Sequence, residues 1–570
     1  MEKKWVYTER SEEGAISTLS EAININSVLA SILIQRGVDS FEKAKTYFRP
    51  TLDQLHDPFL MKDMDAAVDR IQEAIFNEEQ ILVYGDYDVD GTTSVALMYH
   101  FLSSFYDKVA FYIPDRYKEG YGVSAQGIDW ASEQGYSLMI SLDCGIKANE
   151  LVQKAKDKGI DFIICDHHTP GDELPNATAV LDPKRRDCPY PYKELSGCGV
   201  GFKLIQAFAE NNDIPLEKVF EYLDLLAISI ASDIVPITGE NRTLAFYGLQ
   251  KINAEPRPGI RALIELSGKK SDLDISGVVF GLGPRINAAG RIAHAKGAVD
   301  LLLSKTMEEA NDLGKKINEN NHERREVDQS ITVEALELIE SENPALKSTV
   351  LFQKHWHKGV IGIVASRCIE QYYRPTVILT ESGGKATGSA RSVEGYNVYR
   401  AISACEDVID QYGGHMYAAG LTMPVDRVDV FKRRFEKFVS STITEDQLIP
   451  KINIDAVVSL EDITTKFYKI LKQMSPFGPE NMTPVFVLHN LRIKGAPLLL
   501  KEKHLKFKAT QEGSTKSIDC IGFGFGHFHE KMSNGEEFSM AFSIEENDFR
   551  NVKSLQLFIK DIKFVEDQSR

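Results

Sequence analysis

The chain has 570 residues, seven cysteines, a formal net charge of −17 and the apolar content of an ordinary folded protein. At roughly 100–200 residues per domain, such a length means about three to five domains. No uninterrupted apolar stretch reaches the ~20 residues of a membrane span, MEKKWVYTERSEEGA lacks the apolar core of a secretory signal, and cysteines without a C-x-x-C pair indicate neither a zinc site nor a disulfide framework, so the expected setting is the reducing cytoplasm, away from membranes.

In chain order, residues 1–75 read as an N-terminal helical segment, with apolar residues of VLASILIQRGVDSFEKAKTYF at mixed three and four spacings before Arg49-Pro50. From residue 81, short apolar runs (ILVYG, KVAFYIP, YSLMISLD, DFIICD, TAVLDP) alternate with amphipathic stretches. That alternation predicts a parallel sheet covered on both faces, here assigned to 76–260. Residues 261–343 read as a helical connection. Within it, 306–342 holds no proline, and Leu313, Ile317, Val327, Ile331, Leu336 and Ile339 form a rough seam, which fits one long helix or two shorter ones. Strand signals return in 344–449 (STVLFQ, PTVILT, KATGSARS), a second α/β unit. Short strand-like runs with Gly and Pro turns fill 450–570, as in a small β-barrel.

The stretch ILVYGDYDVDGTTS places Asp86, Asp88 and Asp90 at alternate positions, on one side of an extended segment. Crowded like charges need a cation or full solvation. A calcium loop of the D-x-D-x-D-G type is disfavoured: its twelfth position would be Leu97 rather than a bidentate Glu, and a strand precedes it. Further apolar runs end in Asp143, in Asp166-His167-His168 and, as strand or buried helix, in Asp233. Ligands of open α/β sheets bind at the carboxyl ends of strands, so these acids and imidazoles are expected in one crevice. Mostly oxygen donors with one or two imidazoles suit two Mg²⁺ or Mn²⁺ ions, an arrangement used for in-line attack on phosphorus.

With DYDVDG and CDHH together, the sequence resembles the DHH phosphoesterase superfamily. Across nearly its whole length it resembles the bacterial single-strand-specific 5′→3′ DNA exonucleases within it, through SLDCG, LDPKR, ASDIVPITGENR, GLGPRINAAGRI, WHKGVIGIVASR, GSARS and YGGHMYAAG. The resemblance implies a DHH catalytic domain, a DHHA1 domain joined to it by a long helix, and a C-terminal OB-like barrel. It implies Asp86, Asp88, Asp90, Asp143, His167 and Asp233 as metal ligands, His168 at the scissile phosphate, and Asp166 orienting an imidazole. In the DHHA1 unit, Gly413, Gly414 and His415 approach the strand, while Arg116, Arg285, Ser389 and Arg391 form a pocket for its 5′ phosphate, to which arginine's planar fork is suited.

The tail stretch 491–508 carries six Lys or Arg against one Glu, with Phe507, Phe523, Phe525 and Phe528 nearby. A basic groove with one or two stacking aromatics is how OB-folds hold single strands, and a local basic surface is compatible with an acidic whole. The implied product is the 5′-mononucleotide and the implied partner is single-stranded DNA, with a single-strand-binding protein and a RecQ-type helicase alongside a monomeric enzyme. A phosphodiesterase for oligoribonucleotides or cyclic dinucleotides shares the metal motifs but needs no strand-holding tail. A non-catalytic scaffold would have lost ligands that are all present here.

Overall fold

The computed structural model describes residues 1–549 and 552–564, which form two compact units. Residues 51–448 with 476–480 make one; residues 1–50, 449–475 and 481 onward make the other. The expected helical segment 1–75 is therefore divided between them at Pro50. Its first element is a strand, Lys4–Tyr7, that pairs in parallel with Lys451–Ile454, while Trp5 Nε1 donates to Asp561 Oδ2 at 2.7 Å. A four-residue strand whose partner lies at the far end of the chain leaves no local pattern to read. Two helices follow where one apolar run was read, Ser27–Gln35 and Phe41–Phe48.

The larger unit holds a five-stranded parallel sheet of Ile81–Gly85, Val109–Tyr112, Leu138–Leu142, Asp161–Cys165 and Ala179–Leu181. The first strand lies between the second and third, and the fourth and fifth follow in order. Ile81–Gly85 and Leu138–Leu142 are buried throughout, as expected where helices cover both faces. Chain direction away from the first strand reverses between these two, and ligands bind at such a switch point.

Residues 261–343 are only in part a connection. Ala262, Leu263, Leu282, Ile286, Val299, Leu302 and Ile317 belong to the same apolar core as the parallel sheet. One continuous helix, Met307–Glu340, then spans about 50 Å. Its Ile317 packs in the first core and its Ile331, Ala335 and Ile339 pack with Trp356, Val360 and Val364 under the second sheet. That sheet is mixed: Thr349–Phe352 runs parallel to Thr376–Ser382, followed by antiparallel Lys385–Arg391, Ala418–Pro424 and Gln411–His415. YGGHMYAAG is thus the turn of a hairpin.

In the other unit, strands Phe486–Ile493, Phe538–Phe549, Val552–Phe564, Ile518–Gly522 and His504–Gln511 pair in that order, and the last pairs back to the first. This closed five-stranded ring is the OB-type barrel. Phe507 lies in its core against Phe538, whereas Phe523 is exposed. Among the described residues no single helix is long and apolar enough to cross a membrane.

Candidate active site

The three crowded aspartates are not on one extended face. Asp86 follows the strand Ile81–Gly85, Asp88 caps the helix Val89–Ser103 by accepting from Gly91 N at 2.9 Å, and Asp90 sits in that helix's first turn. The chain reverses so sharply here that a Cβ on Gly91 would lie 2.4 Å from the Asp86 carbonyl oxygen, which requires glycine. Asp143 leaves the neighbouring strand with φ +59°, a left-handed conformation that Asp and Asn tolerate best among non-glycine residues. Asp166, His167 and His168 follow the next strand, and Asp233 caps the C-terminus of a buried helix, Leu223–Ser232.

These side chains meet in one crevice. His167 Nε2 lies 3.2 Å from Asp143 Oδ1, 3.5 Å from Asp233 Oδ2 and 3.8 Å from Asp90 Oδ2. Burial first, then neighbouring carboxylates, pushes Asp86, Asp88, Asp143 and Asp233 above the usual carboxylate range; burial holds the His167 imidazole below its ordinary value.

Asp86 Oδ2, both Asp143 oxygens and both His167 ring nitrogens are buried without a hydrogen-bond partner. Buried polar groups are nearly always satisfied, so this orphaned set fits a group that the protein's own donors do not supply. Carboxylate oxygens with neutral imidazole are the donors that divalent cations take. Atoms of Asp143, His167 and His168, and of Asp90, His167 and Asp233, converge closely enough to hold an ion. Asp90 differs from Asp143: it also accepts from Gly197 N, Cys198 N and Ser229 Oγ at 2.6–2.8 Å, anchored at a helix N-terminus.

Asp166 stands behind the crevice. Burial would raise its carboxyl, but His168 Nδ1 at 2.7 Å and the Ile146 amide at 2.9 Å outweigh that and hold it at about 2. The same contact works against burial on His168 and lifts its imidazole to about 9. His168 Nε2 faces outward, 3.3 Å from the Tyr121 hydroxyl. Tyr121 had no sequence signal beyond an aromatic in a glycine-rich loop.

A second depression of about 400 Å³ lies in the same unit, lined by Arg116, Arg291, Lys358, Ser389, Arg391 and Gly413, with Tyr87 beneath Arg116 at 4.7 Å. Arg391 Nη1 donates to Ser389 Oγ at 2.8 Å, and the pair approach the helix Ile361–Gln371 so closely that a Cβ on Gly362 would lie 2.8 Å from Arg391 Nη2. Arg116, Ser389, Arg391 and Gly413 are thus brought together in one depression.

Arg285 is not there, a correction to the sequence reading. Its guanidinium donates to the Gly281 and Leu266 carbonyls and to Asn318 Oδ1, at 2.6–3.1 Å. Six residues on, Arg291 takes the place, because at 3.6 residues per turn the two point about 120° apart around their helix. Burial first, then Arg116, lowers Arg291 to about 9. Gly414 does not line the depression; its neighbour His415 is shifted down by burial and by the charges of Arg391 and His168.

Acid crevice and basic depression are joined by contacts. Asp86 and Tyr87 are adjacent, Tyr87 meets Tyr121 edge to face at 5.9 Å, and Tyr121 reaches His168.

Comparison with known proteins agrees with this geometry. Residues 80–230 match the DHH family N-terminal domain, 343–441 the DHHA1 domain and 454–561 the RecJ OB domain. The single-stranded-DNA-specific exonuclease RecJ of Bacillus subtilis (strain 168) is 38% identical over 564 residues, covering 98% of this chain and 71% of that protein. The crystal structure of RecJ from Thermus thermophilus with Mn²⁺ superimposes with TM-score 0.85 at 26% identity, covering 98% of this chain and 79% of that one. The Mg²⁺ complex of the same protein gives 0.77 at 25%, covering 98% and 78%. The chain is therefore a member of the RecJ family of single-stranded-DNA-specific exonucleases.

Proposed function

We propose that the protein hydrolyses single-stranded DNA from the 5′ end and releases 5′-mononucleotides, with Asp86, Asp88, Asp90, Asp143, His167 and Asp233 holding two Mn²⁺ or Mg²⁺ ions. The observation that carries this reading is the continuous path from the cation-lined depression through Tyr87 and Tyr121 to His168 and the crevice of orphaned acids. Divalent cations bound there would supply Lewis acidity, lowering the pKa of water and neutralising charge that develops on the phosphoryl and leaving oxygens.

The protein's own residues do the rest. Arg116, Arg291, Ser389 and Arg391 hold the 5′ phosphate, which sets polarity because only that end carries a terminal monoester. His168, held protonated by Asp166, presents Nε2 to the leaving oxygen and donates a proton to it; Asp166 fixes the ring through Nδ1. His415 and Gly413, on the hairpin edge, bring backbone against the strand. In the barrel unit, exposed Arg492, Lys494, Lys501, Lys503 and Lys508 with Phe523 offer a further strand-holding surface. Phe507 is barrel core and is not part of it. A monomeric cytoplasmic enzyme working beside a single-strand-binding protein and a RecQ-type helicase belongs to the same proposal; light scattering and pull-down with purified partners test it.

The direct test uses 5′-phosphorylated single-stranded and duplex DNA, labelled at either end, with Mn²⁺, Mg²⁺ or EDTA. Metal-dependent release of the 5′ label as mononucleotide, from single strands alone, is expected. Turnover of dinucleotides with no cleavage of long strands would keep the metal crevice and overturn the substrate.

A further inference from the structure

The basic depression is larger and more highly charged than a single terminal phosphate requires. Four cations line it, Arg116, Arg291, Lys358 and Arg391, and no carboxylate does. Among the described residues none of the four is in an ion pair, although the protein as a whole is strongly acidic. A phosphomonoester carries about −1.5 to −2 at neutral pH. Four half-buried cations exceed that, and no carboxylate in the lining offsets them. The volume of about 400 Å³ also falls in the range of whole small-molecule sites, about 300–1,000 Å³. The walls add neutral donors suited to more phosphoryl oxygens: the hydroxyl-bearing residues Ser389, Thr387 and Thr422.

We propose that this depression accepts 5′-di- and triphosphorylated strand ends, with Lys358 as the residue that takes the additional phosphoryl charge. Lys358 is the natural candidate because Arg291 and Arg391 are already tied, to the Gly359 carbonyl and to Ser389 respectively, while among the described residues the Lys358 ammonium makes no such bond, and Lys358 lines the depression with Arg116. The proposal rests on the reading of this depression as the 5′-end site. The protein would then begin on ends left by de novo strand initiation, where the first nucleotide keeps its 5′-triphosphate, without prior trimming to a monophosphate. In the first turnover, water adds to the first internucleotide phosphorus and the P–O3′ bond breaks. The 3′-oxygen takes a proton and leaves on a nucleoside 5′-triphosphate, and the shortened strand keeps a 5′-monophosphate for the next cycle.

The test compares otherwise identical single strands bearing 5′-hydroxyl, 5′-monophosphate or 5′-triphosphate, with products separated by anion-exchange chromatography and free dTTP added as a competitor. The expected result is a kcat/KM for the triphosphate end at least equal to that of the monophosphate end and at least about tenfold above the hydroxyl end, with nucleoside triphosphate as the first product. Lys358→Gln is expected to lower use of the triphosphate end about tenfold more than use of the monophosphate end. A triphosphate end used no better than the hydroxyl end, while the monophosphate end is preferred, overturns this inference and leaves the 5′-phosphate site standing. Equal use of monophosphate and hydroxyl ends overturns both. Equal loss on both phosphorylated ends in Lys358→Gln overturns the role given to Lys358 and assigns it to a backbone phosphate. Competition by free dTTP as strong as by a triphosphorylated strand shows a site for the triphosphate group itself rather than for the strand end.

Discussion

The acid crevice and the basic depression face opposite electrostatic problems inside one folded unit. In the crevice, buried carboxylates crowd together, and Asp86 Oδ2 and both Asp143 oxygens are unpaired; in the depression, half-buried guanidinium groups crowd together with no acid in the lining. Each is a like-charge cluster that disfavours the folded chain and awaits a ligand of opposite sign. They differ in how they are built. The crevice hangs on strand ends and helix termini of a parallel sheet, fixed by main-chain geometry. The depression is assembled from distant pieces: a loop after one strand, the end of a helix, and three strands of a second sheet carried on a long helix. On the proposed reading, chemistry falls on the part fixed by main-chain geometry and end recognition on the composite part.

The sharpest way to break this contrast is to empty the crevice of its charge. Asp143→Asn suits its left-handed backbone, which Asn tolerates and Ala does not. Turnover is expected to fall by about a thousandfold or more, as it does on chelation, since the substitution removes a group of the reacting centre. In the metal-free protein the same change relieves repulsion and raises the melting temperature, while the further rise on adding Mn²⁺ shrinks. Steady-state kinetics and scanning fluorimetry read both. An unchanged Mn²⁺-dependent stabilisation would remove Asp143 from the ion site.

Next in size are paired substitutions on the cationic side. Arg391→Gln is expected to lower kcat/KM for 5′-phosphorylated strands about tenfold to a hundredfold, roughly 1.4–2.7 kcal/mol, with much less effect on 5′-hydroxyl strands. Arg285→Gln is expected to leave the end preference intact and to destabilise the unit by about 1–3 kcal/mol, because it frees two carbonyls and an amide oxygen that a charged donor satisfies. A reversal of the two results would return Arg285 to the phosphate site.

That pair also marks where sequence reasoning stops. The crevice was legible because strand-end acids are a local pattern: an apolar run followed by Asp86, Asp143 or Asp166 says where the side chain emerges, whatever the rest of the chain does. The choice between Arg285 and Arg291 depends on the rotation of one helix about its axis, which tertiary packing sets. Arg291 was in view within GPRINAAGRI, and only the phase was missing. Lys358 and Tyr121 come from loops whose place is fixed by contacts far along the chain. The α/β units and the barrel were legible from alternation, but the pairing of Lys4–Tyr7 with Lys451–Ile454 was not, since four residues carry no periodicity and their partner is remote. Aspartates 86, 88 and 90 are gathered by a strand-to-helix turn, not by the extended face that their alternate spacing suggests.

The smallest effect sharpens the comparison most finely. If both clusters are strained for the same reason, removing one cation should stabilise the ligand-free protein as removing one acid does, but by less. Asp143 has two oxygens without a partner, so converting it to an amide gives up no hydrogen bond. Arg391 already donates to Ser389 Oγ and to the Ala390 carbonyl, and Gln can replace only part of that. The relief of repulsion from Arg116 is therefore offset, and Arg391→Gln should raise the melting temperature by only about 1–2 °C, below the gain from Asp143→Asn. Adding inorganic phosphate should stabilise the parent protein more than the Arg391→Gln variant, which reverses their order. Scanning fluorimetry without metal, with and without phosphate, checks the crossing. A variant that melts lower than its parent in both conditions would mean that Arg391 is held by packing and that the depression is not a strained cation cluster.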